Sequence, residues 1–291
     1  TLSCKFDGEP LIVGTSGRYE FRNKGIDIFL DALKQLAETD ALDREVLVYI
    51  TVPSATTGPR KDLQAHLADE NSPIDPKQNR FCTHYLEHPE WDQILNSIAG
   101  SVLANPSSKV KVVFVPTYLN GRDGIFDKSY YELLVGMDMT LFPSYYEPWG
   151  YTPLESTAFS VPTLTTTLAG FGLWAGSQGE HEGVTLVARN DDNYAEAARE
   201  IAKALLHFTK YTPQEVEIAR NAAAELSRTA LWSELYAAYE KAYSEAIERS
   251  VTRTNRAVLN DGGGATEQIN FVRQQPVSYT HLRAHETELH L

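Results

Sequence analysis

Cysteine is almost missing from this chain of 291 residues: Cys4 and Cys82 are the only two. Two cannot make a disulfide framework, and the scarcity fits a reducing compartment. Long apolar runs are also lacking, so neither a secretory signal nor a membrane span is legible, and the sequence reads as soluble and cytoplasmic. Basic residues are outnumbered, 26 against 39 acidic ones, for a net charge of −13. Such a surface repels nucleic acid, yet it can hold a small anion if a few cations are focused in one cleft. His84 and His88 stand at helical spacing without a third ligand nearby, so no metal site is expected. No internal repeat and no complete dinucleotide fingerprint are present. The chain starts with Thr1, not methionine, and reads as a fragment.

What the chain does contain is an alternation of β-rich runs and helical patterns. Residues 9 to 14 read as a buried strand ending in a loop, and from Lys24 onward Ile26, Phe29, Leu30, Leu33 and Leu36 recur at helical spacing. Further strands are read at 45–53, beside the first, and at 110–115, 139–142, 162–165 and 183–188. Helices are read at about 89–103, 129–135, 151–159, 191–208, 213–228 and 230–249. Gly170, Gly172 and Gly176 are read as threading a loop with Phe171 and Trp174. The proline-rich stretch 54–108 is the least regular part. This order implies an α/β fold, a Rossmann-like doubly wound parallel sheet with helices on both faces. The domain reading is one ligand-binding domain over 1–250, a glycine-containing linker or the start of a following region at 251–275, and a vector-derived tail at 276–291. His281 and His285, on that tail, carry no metal reading.

Two segments hold the candidate chemistry. In the first, Arg18, Arg22 and Lys24 gather beside Gly17 and Gly25 where a strand gives way to a helix. Cations are disfavoured at a helix start, so their presence there points to an anionic ligand, for which arginine offers a planar fork and lysine a point charge. In the second, Glu147 and Glu155 stand eight positions apart across a strand–loop–helix unit in which Pro148 and Gly150 force the loop. Backbone N–H groups at Gly150, Tyr151 and Thr152 would open that helix, where a phosphate can rest. One carboxylate can reach a reacting group while the other faces the hydroxyls of a bound sugar. Glu147 as a solvated loop residue and Glu155 as an ordinary helix residue remain open. Tyr130 and Tyr131 open the preceding helix, and one of them can stack on a nucleobase or simply pack in the core.

The run Ser-Tyr-Tyr-Glu-Pro-Trp-Gly-Tyr-Thr-Pro-Leu-Glu at 144–155, followed by Thr-Thr-Thr-Leu-Ala-Gly-Phe-Gly at 165–172, resembles the donor-site signature of retaining glycogen synthases of the animal and fungal type. The segment Thr-Ser-Gly-Arg-Tyr-Glu-Phe-Arg-Asn-Lys-Gly at 15–25 resembles that family's other donor-site segment. The resemblance covers about residues 9 to 249. It implies the C-terminal, nucleotide-sugar-binding domain of a two-domain GT-B glycosyltransferase that moves glucose from UDP-glucose to the end of an α-1,4-glucan. It further implies Arg18 and Lys24 on the diphosphate, Glu147 beside the sugar, and Glu155 in the nucleotide half. Tyr130 would meet the base, and Trp149, Gly150, Tyr151 and Thr152 would line the donor. No cofactor or metal is implied. The glucan acceptor would be held by an amino-terminal domain that this chain lacks, so the fragment alone is expected to be inactive.

One departure from the family stands out. Its animal and fungal members carry an arginine-rich helix for a sugar-phosphate activator, and the comparable stretch here keeps only Arg220 and Arg228. The expected partners are therefore a nucleotide sugar and an α-glucan, with no nucleic acid and no membrane; a homo-oligomer is compatible with this reading. Two rivals stay open: another retaining GT-B glucosyltransferase, or a non-catalytic nucleotide-sugar module fused to another carbohydrate enzyme.

Overall fold

The computed structural model describes residues 6 to 260, with side chains to residue 253. Cys4, most of the glycine-containing linker, the 276–291 tail and its two histidines lie outside the described residues. Residues up to Leu235 form one compact unit and those from Tyr236 a second.

The first unit is built on six parallel strands: β1 (Leu11–Ser16), β2 (Val46–Thr51), β5 (Val110–Phe114), β6 (Met139–Phe142), β7 (Thr163–Thr166) and β8 (Val184–Val187). Their order across the sheet is β5-β2-β1-β6-β7-β8, the doubly wound Rossmann-like arrangement expected from the alternation. From β1 the chain proceeds outward through β2 to β5, then returns to β1's other side and proceeds through β6, β7 and β8. The strand order therefore reverses between β1 and β6, and in open α/β sheets ligands bind at the carboxyl ends of the strands flanking that point.

Side-chain alternation assigns the two faces. Leu11, Val13, Val46, Val48 and Ile50 point into the main core, closed by α1 (Ile26–Glu38), α3 (Gln93–Ala99) and α7 (Tyr194–Phe208). Ile12 and Tyr49 point the other way, toward a smaller cluster with Leu134, Met137 and Val161 beside α4 (Tyr130–Leu134). On that side, α5 (Tyr151–Ala158) packs on α8 (Pro213–Arg228). The start of α8 is fixed by a capping box between Thr212 and Glu215, and its observed span coincides with the helix read from sequence.

Four elements differ from expectation. Residues 170–177 are not a loop but a helix, α6 (Gly170–Ser177). Its glycines are there for close approach: a Cβ on Gly170 would stand 2.1 Å from the Pro148 carbonyl oxygen, and one on Gly172 2.2 Å from that of Thr166. The single helix expected over 89–103 is broken into a 3-10 turn (Pro89–Trp91), α3 and another 3-10 turn (Val102–Ala104). Asp92 ends the first turn and starts α3, its carboxylate accepting from the Leu95 N–H. Within 54–108 the chain also forms an antiparallel pair, β3 (Thr56–Pro59) with β4 (His84–Leu86), and α2 (Lys61–Ala68). The last helix, α9 (Trp232–Asn260), continues past the residue where its apolar stripe was expected to end.

Candidate functional site

Three loops meet at the reversal point, one from the end of each of β1, β6 and β7. The Tyr145 N–H donates to the Asn23 carbonyl at 2.9 Å, joining the β6 loop to the β1 loop. The Glu147 N–H donates to Leu168 O at 3.2 Å, and the Gly170 N–H returns to Glu147 O at 3.0 Å, joining it to the β7–α6 turn. Gly25 adopts φ 68°, and a Cβ there would lie 2.0 Å from the Pro143 carbonyl oxygen. Only glycine lets the start of α1 come this close to the end of β6.

This stitching brings Lys24 to Glu147. The Lys24 Nζ donates to Glu147 Oε2, and the two side chains are 17% and 22% exposed. The pair thus sits at the mouth of the crevice, shielded enough for its attraction to exceed that of a surface ion pair. Arg18, on the same β1 loop, is not brought to this pair: its guanidinium is 78% exposed and lies 3.1 Å from Glu20. Arg22, 90% exposed, reaches only to 4.0 Å from Asp27.

Beyond Glu147 the chain turns at Gly150 (φ 111°) into α5, which starts with no side-chain cap. Its first N–H groups, at Tyr151 and Thr152, face the same end of the sheet, an arrangement suited to an anion. Tyr151 is 71% exposed. Trp149 turns inward, packing on Phe171 and Trp174 with ring centroids 6.2 and 5.8 Å away, so its indole anchors the loop.

Across the crevice, the buried Tyr130 hydroxyl is 2.8 Å from Ser16 Oγ, at the carboxyl end of β1. Burial pushes its phenol up to about 12, so it stays neutral at any physiological pH. Tyr131 donates to Glu155 Oε1 at 3.2 Å and stacks on Phe159 at 4.9 Å. Desolvation raises Glu155 above the usual carboxylate range, with the Tyr131 hydrogen bond opposing in part. Glu147 and Glu155 therefore occupy different environments: one is paired with a cation, the other is held by a phenol against α4.

One residue that sequence reading passed over is Arg189, just after β8. It is 6% exposed, donates to the Pro143 carbonyl, and lies over the rings of Tyr145 and Tyr194 at 5.2 and 5.9 Å. Its backbone exchanges two hydrogen bonds with Thr167. Arg189 thus ties the β6 loop to the β7 loop from below. A lone arginine after a short strand has no spacing signal to reveal this.

Other singled-out residues fall elsewhere. His84 bonds to Thr83 Oγ1 and to the Asp123 carbonyl, and His88 stacks on Trp91. No group of three metal-ligating side chains occurs among the described residues, nor is any helix there long and apolar enough to cross a membrane. Arg220 is committed internally, donating to Met137 O at 2.7 Å and to Ser160 O at 3.3 Å.

A sequence model of the glycogen synthase family matches residues 74–287. The chain is 28% identical to the glycogen (starch) synthase of Neurospora crassa, over 84% of this chain and 43% of that protein. It is also 28% identical to the Caenorhabditis elegans glycogen (starch) synthase, over 81% and 43%. Against the human liver glycogen (starch) synthase the identity is again 28%, over 84% and 42%. The chain spans less than half the length of these relatives. The family match begins after the Arg18–Lys24 loop and takes in Tyr130, Glu147 and Glu155, so the crevice and the match share residues over most of the chain, which belongs to the glycogen synthase family.

Proposed function

We propose that this chain is the donor-binding half of a retaining glycogen synthase, which moves glucose from UDP-glucose to the non-reducing end of an α-1,4-glucan in the cytoplasm. The observation that carries the reading is the Lys24–Glu147 pair, set at the reversal point of the sheet beside the uncapped start of α5.

In this reading the diphosphate displaces Glu147 from Lys24. Lys24 turns to the phosphate oxygens, the exposed Arg18 swings in from Glu20, and the Tyr151 and Thr152 N–H groups add neutral donors. These groups meet the charge that grows on the leaving diphosphate as the bond from phosphate oxygen to the anomeric carbon breaks. Electrostatic preorganisation contributes most at that point. No metal is proposed, since two cations and a helix start meet the charge. Glu147, released from its cation, faces the sugar, orients it and stabilises the positive charge developing on its ring. Glu155, with Tyr131, borders the nucleotide, and the Tyr130 ring meets the base.

Transfer also needs the acceptor hydroxyl held near the anomeric carbon. We assign that task to a part of the parent protein outside this chain. Such positioning is worth about 7–11 kcal/mol of barrier. Radiolabelled glucose followed from UDP-glucose into glycogen tests the reading. Incorporation is expected with the complete parent protein and not with this chain, and comparable rates from both would refute the division of labour.

A further inference from the structure

A second concavity, of about 300 Å³, lies beside the loop that carries Arg18, and the donor reading leaves it unused. Its wall draws on three segments: Tyr19 from the β1 loop, Ser54 and Ala55 after β2, and His88, Trp91 and Asp92 around the 3-10 turn.

The Trp91 indole is 73% exposed, a costly position for so much apolar surface. It is nonetheless braced: the His88 ring lies against it, 5.0 Å between centroids and tilted by 27°. One indole face is supported and the other stays open. The floor is polar and ordered. Tyr19 donates its hydroxyl hydrogen to Asp92 Oδ2 at 2.9 Å, and accepts from the Ile94 N–H at 3.2 Å. Asp92 Oδ1 accepts from the Leu95 N–H at 2.8 Å, and Asp92 is 8% exposed.

The charge pattern selects the ligand. No lysine or arginine lines this concavity, Asp92 forms its floor, and Glu90 stands 3.8 Å from His88 at the rim. An anion would meet two carboxylates and no fixed cation. What fits is a neutral molecule with one apolar face and hydroxyls around its edge: a pyranose laid on the indole, its hydroxyls turned to Asp92 and Ser54. We propose that this concavity is a binding subsite for a neutral α-glucan chain. The choice of sugar rests on the glycogen synthase reading, whereas the choice of a neutral pyranose rests on the site. Because Tyr19 adjoins Arg18, a glucan held here runs beside the donor loop.

The test is calorimetric titration of maltoheptaose into the 291-residue chain, with cellohexaose as the control for linkage and UDP titrated into the same preparations. The chain is expected to bind maltoheptaose in preference to cellohexaose. Trp91→Ala should weaken that binding at least tenfold, and Trp91→Tyr, which keeps an aromatic face, should retain most of it. UDP affinity and the thermal midpoint should be unchanged in both variants, since the Trp91 side chain is solvent-exposed. Absence of maltoheptaose binding, equal binding of cellohexaose, or full affinity in Trp91→Ala would overturn the subsite while leaving the UDP result to stand by itself. Lost UDP binding alongside Trp91-dependent maltoheptaose binding would instead strike the donor reading alone.

Discussion

Lys24 and Glu147 each make the other tolerable. A cation set just before a helix is disfavoured, and a partly shielded carboxylate is costly without a partner. Removing one leaves the other exposed to that cost, so Lys24→Met and Glu147→Gln should each lower stability by about 1–3 kcal/mol. The double variant should cost less than the sum, because the second change removes a group already stranded. A denaturation cycle over the four proteins measures this, and strict additivity would mean the pair is not coupled. Glu155 makes the opposite prediction. Burial raises its pKa in the folded chain, so the unfolded state gives up its proton first and stability falls as pH rises from the ordinary glutamate range to the higher folded value. Above that window the penalty persists. Glu155→Gln should therefore raise the thermal midpoint at pH 7 and lose that advantage below the ordinary carboxylate range, while weakening nucleotide binding. Thermal melts across pH would show it, and a midpoint that falls at pH 7 would contradict the sign.

At the scale of elements, the crevice depends on how closely α1 approaches the end of β6. Gly25→Ala would place a methyl group against the Pro143 carbonyl in a backbone conformation unfavourable to alanine, at a cost of about 3 kcal/mol or more. The expected result is a lower denaturation midpoint together with weaker UDP binding, since Lys24 moves with Gly25; unchanged values for both would show that the loop adapts freely. This contact also shows what was legible in the sequence. The apolar runs of β1 and β6 and the heptad-like face of α1 are strong periodic signals, and they place Lys24 and Glu147 at strand ends. Their meeting needs the strand order, which periodicity does not carry; the family resemblance had already set them in one site. Helix α6 was illegible because three glycines read as a loop by propensity, whereas close packing on Pro148, Thr166 and Leu186 is what requires them. The β3–β4 pair and α2 were missed because they are short, polar and interrupted by proline. The last turns of α9 were missed because strong helix formers there carry no buried stripe. Arg189 acts through a carbonyl and two rings, contacts with no sequence spacing.

For the molecule as a whole, an acidic chain of net charge −13 binding a nucleotide diphosphate requires that a few cations outweigh the surrounding field at one point. The account places that point at Arg18, Lys24 and the start of α5, and it makes the donor site separable from glucan transfer. Calorimetric titration of UDP into this chain, its Arg18→Ala and its Lys24→Ala variant tests this most directly, with thermal melts as the check on folding. The unmodified chain should bind UDP, and each variant should bind about 10- to 150-fold more weakly, the range of a charged hydrogen bond worth about 1.5–3 kcal/mol. Unchanged affinity in both variants, or no UDP binding by the folded, unmodified chain, would contradict the account.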